Sequence, residues 1–475
     1  MDLRGKEIWI VVAAYILVNS SIYLNIGFTP DESNYIFTSE KMLEGYAPYK
    51  DYSTDVKPPL NYYVFSVLAY SGQILQLIRL LAISMNAAAA LMIYMTAARM
   101  YGNRTALAAA SIFLFIFTMP SFFGYAVNGD RLMILFSVAS LFFFTGERKA
   151  KYIAASGMLA GLALLSKQTA VMLVLFYFIC FAIERKNIAA RIKPAALMAA
   201  SLLIPLIIVA AHFILMGAFA EMLNWTTSEA LNIRKDDTWL SEPSKFMSLE
   251  TLYNFSVMSP ILFLAAAFFI AFLLDRKRDM GSDMFFVIML AVTSYPFVAV
   301  LKYMSLMAIP LSVLSARMVQ RAMQAKIDGL YTKILVIFPI ALIFAFSLGL
   351  NSYSVYRLHS VSSDYYTHME DVSSYLKNAM EEGEMLYVFG YNPTIYHLSD
   401  RDPPPGMYYL YPYKEHVNDM EQARTVEILR SSSVKTAVVD NTQQSRYFNP
   451  ITYKYLESEY RKRVSFGPFD VLTKE

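Results

Sequence analysis

The sequence predicts a polytopic α-helical membrane protein with a small C-terminal α/β domain outside the bilayer. Three observations carry this. Of 475 residues, 56% are hydrophobic and only 17% are charged, a balance that an ordinary water-soluble fold of this length does not tolerate. Apolar stretches long enough to cross a bilayer recur from near residue 8 to residue 351. The roughly 120 residues that follow read as mixed, soluble sequence.

At the N-terminus, Arg4 and Lys6 precede an apolar run as in a signal peptide, but the run ends at "NIGFTPDE" with no small-residue cleavage site. It reads as a retained anchor. Spans are expected at 8–27, 79–98, 105–126, 130–146, 152–166, 168–183, 195–216, 257–274, 282–301, 303–317 and 333–351, about eleven transmembrane helices. The loops then sort by charge. Arg99 and Arg104, Arg148 with Lys149 and Lys151, Arg185 with Lys186, Arg191 and Lys193, Arg276 with Lys277 and Arg278, and Arg317 with Arg321 fall on one side, which the positive-inside rule makes cytoplasmic. The opposite loops are acidic: 28–57 holds three lysines against six acids, and 218–256 likewise holds six acids against Arg234, Lys235 and Lys245. This orientation makes the chain a multi-pass protein of the cell membrane, with a cytoplasmic N-terminus and an extracytoplasmic C-terminal domain.

Residues 58–76, "PPLNYYVFSVLAYSGQILQ", are apolar enough to span, yet counting them would put Arg99 and Arg104 outside. They are expected to form a helix lying in the outer interface, after a first outer loop at 28–57. The spans 152–166 and 168–183 are short, but basic loops flank both, so two crossings are required. The transmembrane domain thus runs over 1–351 and the soluble domain over 352–475. In the latter, "YYTHMEDVSSYLKNAM" has helical spacing, "MLYVFG" and "KTAVVD" read as short buried strands with "DVLTK" as a further candidate, and "DRDPPPG" is a rigid turn.

Several function classes are excluded at this level. A net charge of +3, with the basic residues divided among loops, gives no support to nucleic-acid binding. Cys180 is the single cysteine, so neither a disulfide framework nor a thiolate metal cluster can form. There is no GxxxxGK phosphate loop, GxSxG elbow or HExxH helix, and the five histidines are scattered and read as structural. No internal repeat suggests transporter symmetry.

The segment "TPDESNYIFTSEKMLEGYAPYKDYSTDVKPPL" concentrates carboxylates, tyrosines and prolines beside a membrane, as functional loops do. Asp31 and Glu32 follow Pro30 where a helix begins, so Asp31 serves either as a helix cap or as a reactive carboxylate. A hydroxyl attacking an anomeric carbon needs a base to take its proton, and Asp31 is the first candidate. A phosphate leaving group needs fixed cations, for which Lys57, Arg131, Lys167 and Lys302 are available. Lys167 and Gln168 interrupt the apolar "GLALLSKQTAVMLVLF" and mark either a helix end or a pairing site. Asp130 with Arg131, and Lys302 with Tyr303, pose the same choice, local ion pairing or helix boundary against function. The charge-derived orientation puts all of these polar turns on the outer face.

The loop "PDESNYIFTSEKMLEGYAPYKDYSTDVKPPLNYY" resembles the first outer loop of the GT-C glycosyltransferases related to family 39, the protein O-mannosyltransferases and aminoarabinose transferases. The order "YAVNGD", "LLSKQTA", "LKYMSLMAIP" and "VFGYNPTIYHLSDRDPP" is also similar to its bacterial and archaeal branches. The resemblance implies a GT-C fold, a polyprenyl-phosphate-linked sugar as donor, and transfer of a hexose or pentose with inversion to a lipid, glycan or protein acceptor. It makes Asp31 the catalytic carboxylate with Glu32 beside it, and Lys57 a contact to the donor phosphate. Tyr35, Asp51, Asp130, Arg131, Lys167, Gln168, Lys302 and Tyr303 follow on the substrate side. The closest subfamilies are metal-independent, and a divalent cation is the one cofactor left open. The chain has no large sugar-binding insert of the O-mannosyltransferase kind. Its rivals are a transporter or an inactive scaffold of the same fold.

Overall fold

The computed structural model describes residues 6–24, 26–51, 56–69, 74–118, 124–184, 188–231, 280–294, 305–324, 364–390, 393–404, 419–432, 434–441 and 449–474. In chain order its helices are α1 (Lys6–Tyr23), α2 (Pro30–Leu43), α3 (Leu60–Ala69), α4 (Ile74–Tyr101), α5 (Asn103–Thr118), α6 (Gly129–Phe144), α7 (Ala150–Ser166), α8 (Val171–Ile183), α9 (Ile188–Leu215), α10 (Phe219–Asn224), α11 (Met280–Thr293), α12 (Ala308–Gln324), α13 (364–379), α14 (Thr394–Ser399), α15 (Asp419–Ser431) and α16 (Pro450–Glu459). Two compact units interleave along the chain. One draws on Met1–Leu24, Ile78–Val209 and Arg234–Leu358, the other on Asn25–Leu77, Ala210–Ile233 and His359–Glu475.

The first unit is helical. Among the described residues, Lys6–Tyr23, Ile74–Tyr101 and Ala190–Leu215 are long and apolar enough to cross a membrane, and further apolar helices are shorter. The expected spans at 257–274 and 333–351 lie outside the described residues. With no hydrophobic drive between helices in lipid, small and hydroxylated residues make the contacts. The Ser140 and Ser156 hydroxyls lie 3.0 Å apart between α6 and α7, and Ser140 also meets the Tyr177 hydroxyl of α8 at 2.9 Å. Gly157 and Gly161 of α7 face α9, where an added Cβ would stand 2.4 Å from the Met198 and Leu202 carbonyl oxygens respectively. Buried Asp283 of α11 accepts from Arg317 of α12 at 3.2 Å.

In the second unit, α3 covers Leu60–Ala69 within the helix expected over 58–76, and α4 opens at Ile74; residues 70–73 lie outside the described residues. The C-terminal chain forms a four-stranded sheet in the order β1-β2-β4-β3, from β1 (Leu386–Phe389), β2 (Thr436–Asp440), β3 (Arg461–Phe466) and β4 (Phe469–Thr473). β1 and β2 run parallel, and the other pairings are antiparallel. Alternation along the strands sends Leu386 and Val388 to one core with Leu376 and Val471, and Tyr387 and Phe389 to another with Leu429 and Leu456. Both faces are covered, which is why β1 and β2 read as continuous apolar runs. Phe37 of α2 belongs to the first of these cores, so the helix after the first apolar segment packs into the C-terminal sheet.

Candidate active site

Helix α2 begins with a complete capping box. Thr29 takes the N-cap position, its hydroxyl oxygen accepts from the Glu32 N–H at 3.3 Å, and the Glu32 carboxylate accepts from the Thr29 N–H at 2.8 Å and its hydroxyl at 2.9 Å. Glu32 is fully buried in this arrangement. The capping box is thus built by Thr29 and Glu32 rather than by Asp31. Instead the Lys57 Nζ donates to Asp31 Oδ1 at 2.5 Å, and both side chains are partly exposed, Asp31 at 31% and Lys57 at 19%.

Tyr35 lies one turn beyond Asp31 on the same face, and its ring centroid is 5.3 Å from the Lys57 ammonium. Tyr62 and Phe65 of α3 hold that ring in place, with centroids at 5.9 and 5.3 Å. The Lys57 backbone is fixed by the Tyr49 hydroxyl, which donates to its carbonyl at 2.6 Å. Asp51 is used locally, accepting from the Ala47 N–H at 2.6 Å to close the turn that carries Tyr49.

The other polar turns belong to the first unit. Asn128 caps α6 by accepting from the Arg131 N–H at 3.1 Å. Asp130 then accepts from Lys167 at 2.5 Å and from the Ser305 hydroxyl at 2.7 Å. Lys167 sits where α7 ends, in extended backbone at φ −159° and ψ 135°, before Gln168 opens a single 3-10 turn leading to α8. Arg131 points elsewhere, because adjacent residues on a helix do not share a face. Its guanidinium lies 3.9 Å from the Phe117 ring centroid and donates to Asn86 Oδ1 at 3.2 Å, and Asn86 in turn donates to the Tyr15 hydroxyl at 2.8 Å.

Four of the candidate residues thus meet in two pairs that the sequence did not name, Asp31 with Lys57 and Asp130 with Lys167, each within its own unit. Lys302 and Tyr303 lie outside the described residues. Among the described residues, no group of three or more His, Cys, Asp or Glu side chains is placed to hold a metal ion. Sequence reasoning missed Arg79, fully buried and donating to the Tyr125 carbonyl at 2.9 Å, although an arginine inside "QLIRLLAIS" was a signal of the same kind as Lys167. It also passed over His397, whose Nδ1 meets Glu40 Oε1 at 2.6 Å, because nothing in the sequence joins residues so far apart.

The profile of the dolichyl-phosphate-mannose-protein mannosyltransferase family matches residues 56–214, which include Lys57, Asp130 and Lys167 and begin after Asp31. No curated protein matches the chain in sequence. Among solved structures, the chain is similar to ArnT from Cupriavidus metallidurans bound to undecaprenyl phosphate, with a TM-score of 0.59 and 13% identity over 98% of this chain and 97% of that one. It is also similar to the Archaeoglobus fulgidus oligosaccharyltransferase in its apo form, with a TM-score of 0.58 and 13% identity over 97% and 74% of the two chains. The archaeal oligosaccharyltransferase AglB from the same organism, in complex with an inhibitory peptide and a dolichol-phosphate, gives 0.55 at 12% identity over 99% and 74%. At such identity the likeness establishes the fold: the chain has the GT-C fold that these glycosyltransferases share.

Proposed function

We propose that this chain is a membrane glycosyltransferase that moves one monosaccharide from a polyprenyl-phosphate carrier to an acceptor on the outer face of the membrane, with inversion. The observation that carries the reading is the Asp31–Lys57 pair at the start of a helix whose cap is supplied by other residues. A carboxylate and an ammonium side by side are the two groups this chemistry requires. The acceptor hydroxyl oxygen attacks the anomeric carbon and its proton passes to the Asp31 carboxylate. The bond from that carbon to the phosphate oxygen breaks, the electron pair stays with the phosphate, and the Lys57 ammonium offsets the charge that develops there. Lys57 would exchange Asp31 for the donor phosphate on binding, which exposes the carboxylate only when a donor is present.

The fold supports the donor class, since ArnT was solved with undecaprenyl phosphate and AglB with a dolichol-phosphate. The Asp130–Lys167 pair we assign to structure, as the tie between the start of α6 and the break after α7. Arg131, stacked on Phe117, belongs with it. No step calls on a metal ion.

The test is incubation of the purified protein with a panel of polyprenyl-phosphate hexoses and pentoses, scored by mass spectrometry for transfer or donor hydrolysis. One donor is expected to turn over. Replacing Asp31 by Asn should lower that rate by about 10² to 10⁴, the usual weight of a positioned base, with donor binding retained. Turnover of no donor, or an active Asp31→Asn variant, overturns the assignment.

A further inference from the structure

Helix α2 is gripped along one stripe. Ser33, Phe37, Glu40 and Lys41 recur at helical spacing, so at about 100° per residue they share a face. Each meets the C-terminal chain. The Thr394 hydroxyl donates to the Ser33 hydroxyl oxygen, the Phe37 and Tyr396 rings pack with centroids 5.4 Å apart, His397 Nδ1 lies 2.6 Å from Glu40 Oε1, and Lys41 Nζ lies 2.5 Å from Asp402 Oδ1. Burial alone would lower the Lys41 ammonium's pKa, but its bonds to Asp402 and Glu44 outweigh that and raise it, so the cation is kept. Ser33 also donates to the Thr29 carbonyl at 3.0 Å, which links Thr394 to the cap beside Asp31.

The segment leading into α2 is held by the same part of the chain. A Cβ on Gly27 would come 2.7 Å from the Tyr366 side chain, and the Phe28 ring meets Tyr366 and His397 edge-on at 5.6 and 6.4 Å. Asp31 and Tyr35 fall on the opposite stripe, roughly 160–200° around the helix from Ser33, and that is where Lys57 stands. Several contacts spread along one stripe fix the rotation of a helix as well as its place. The leverage is large. A 20° turn about the axis would carry a carboxylate at about 5 Å radius by roughly 2 Å, enough to part the Asp31–Lys57 pair.

We infer that α14 and the Asp402 turn are a positioning device for the Asp31–Lys57 centre: Thr394, His397 and Asp402, acting through Ser33, Glu40 and Lys41, set the rotation of α2 that presents Asp31 to the acceptor. This rests on the reading of Asp31 as the base. Each of the three acts through a residue of α2, so each is a positioning residue. The device requires the C-terminal chain as part of the active enzyme rather than as an appended domain.

The experiment uses the full chain and the donor that the panel identifies. The Thr394→Val/His397→Gln double variant preserves volume and removes two polar ties. Hydrogen exchange of peptides covering residues 30–43 should speed up, while kcat falls about tenfold to a hundredfold and the donor KM stays within about twofold, since Lys57 is not on α2. Thr394→Ser retains the hydroxyl and should run at the wild-type rate. Unchanged exchange in α2, faster exchange without loss of kcat, or a Thr394→Ser variant as slow as the double variant overturns the inference. A wild type that turns over no donor overturns the functional reading itself and removes the positioning role with it, whereas an active wild type beside unaffected variants overturns the inference alone.

Discussion

Asp31 and Glu32 are neighbours in sequence with opposite duties, and the difference can be measured. Glu32 is fully buried in a capping box, whereas Asp31 pairs with Lys57 at partly exposed positions where an ion pair is worth little. Thr29→Ala should cost about 1 kcal/mol of stability, the usual worth of an N-cap, and lower the melting temperature in detergent. Asp31→Ala should leave that temperature within about a degree or two and abolish transfer. A large thermal loss from Asp31→Ala, or none from Thr29→Ala, would reverse the two roles. The capping-box pattern stands in "TPDE", a threonine followed three residues later by glutamate, but the sequence reading offered the cap to Asp31 and passed over Thr29. Asp130 shows the limit. Its neighbour Arg131 looked like a partner, but consecutive side chains on a helix diverge, and the true partners, Lys167 and Ser305, come from elements far along the chain.

At the scale of elements, helix against helix depends on close approach. Gly157 and Gly161 form a GxxxG step on α7, and at each a Cβ would stand 2.4 Å from a carbonyl oxygen of α9, too near for any side chain. Backbone cannot yield as a flexible side chain can. Gly161→Leu should therefore separate the two helices, seen as loss of monodisperse protein on extraction, while Met158→Leu on the exposed side of the same helix should be silent. Equal behaviour of the two variants would contradict the packing. This step lay in plain view as "SGMLAG", but sequence does not say which helix it faces. The segments "MLYVFG" and "KTAVVD" form β1 and β2 because burial on both faces leaves a continuous apolar run. β3 escaped notice because it opens with Arg461, Lys462 and Arg463, residues suited to the exposed edge of a sheet and poor as a strand signal.

For the molecule as a whole, the second unit constrains how the chain threads a membrane. Its parts come from distant places in sequence yet touch directly. Glu40 meets His397, Lys41 meets Asp402, and the Lys50 ammonium donates to the Gly217 carbonyl at 3.2 Å. Side chains in contact lie on one side of a bilayer, so the number of crossings between them must be even. The charge pattern assigns six spans between residue 77 and residue 217, and ten between residue 77 and residue 359, even in both cases. Counting 58–76 as a further crossing would make the number between Lys50 and Gly217 seven, which is odd. Accessibility labelling of single cysteines, in a Cys180→Ser background, at Lys50, at Gly217 and in the exposed turn at Asp400 should therefore give one sidedness for all three, with cysteines at Arg104 and Lys149 giving the other. Labelling that puts Asp400 on the side of Lys149 would mean an odd number of crossings, and the packing of α2 into the C-terminal sheet, on which the placement of Asp31 depends, could not be right.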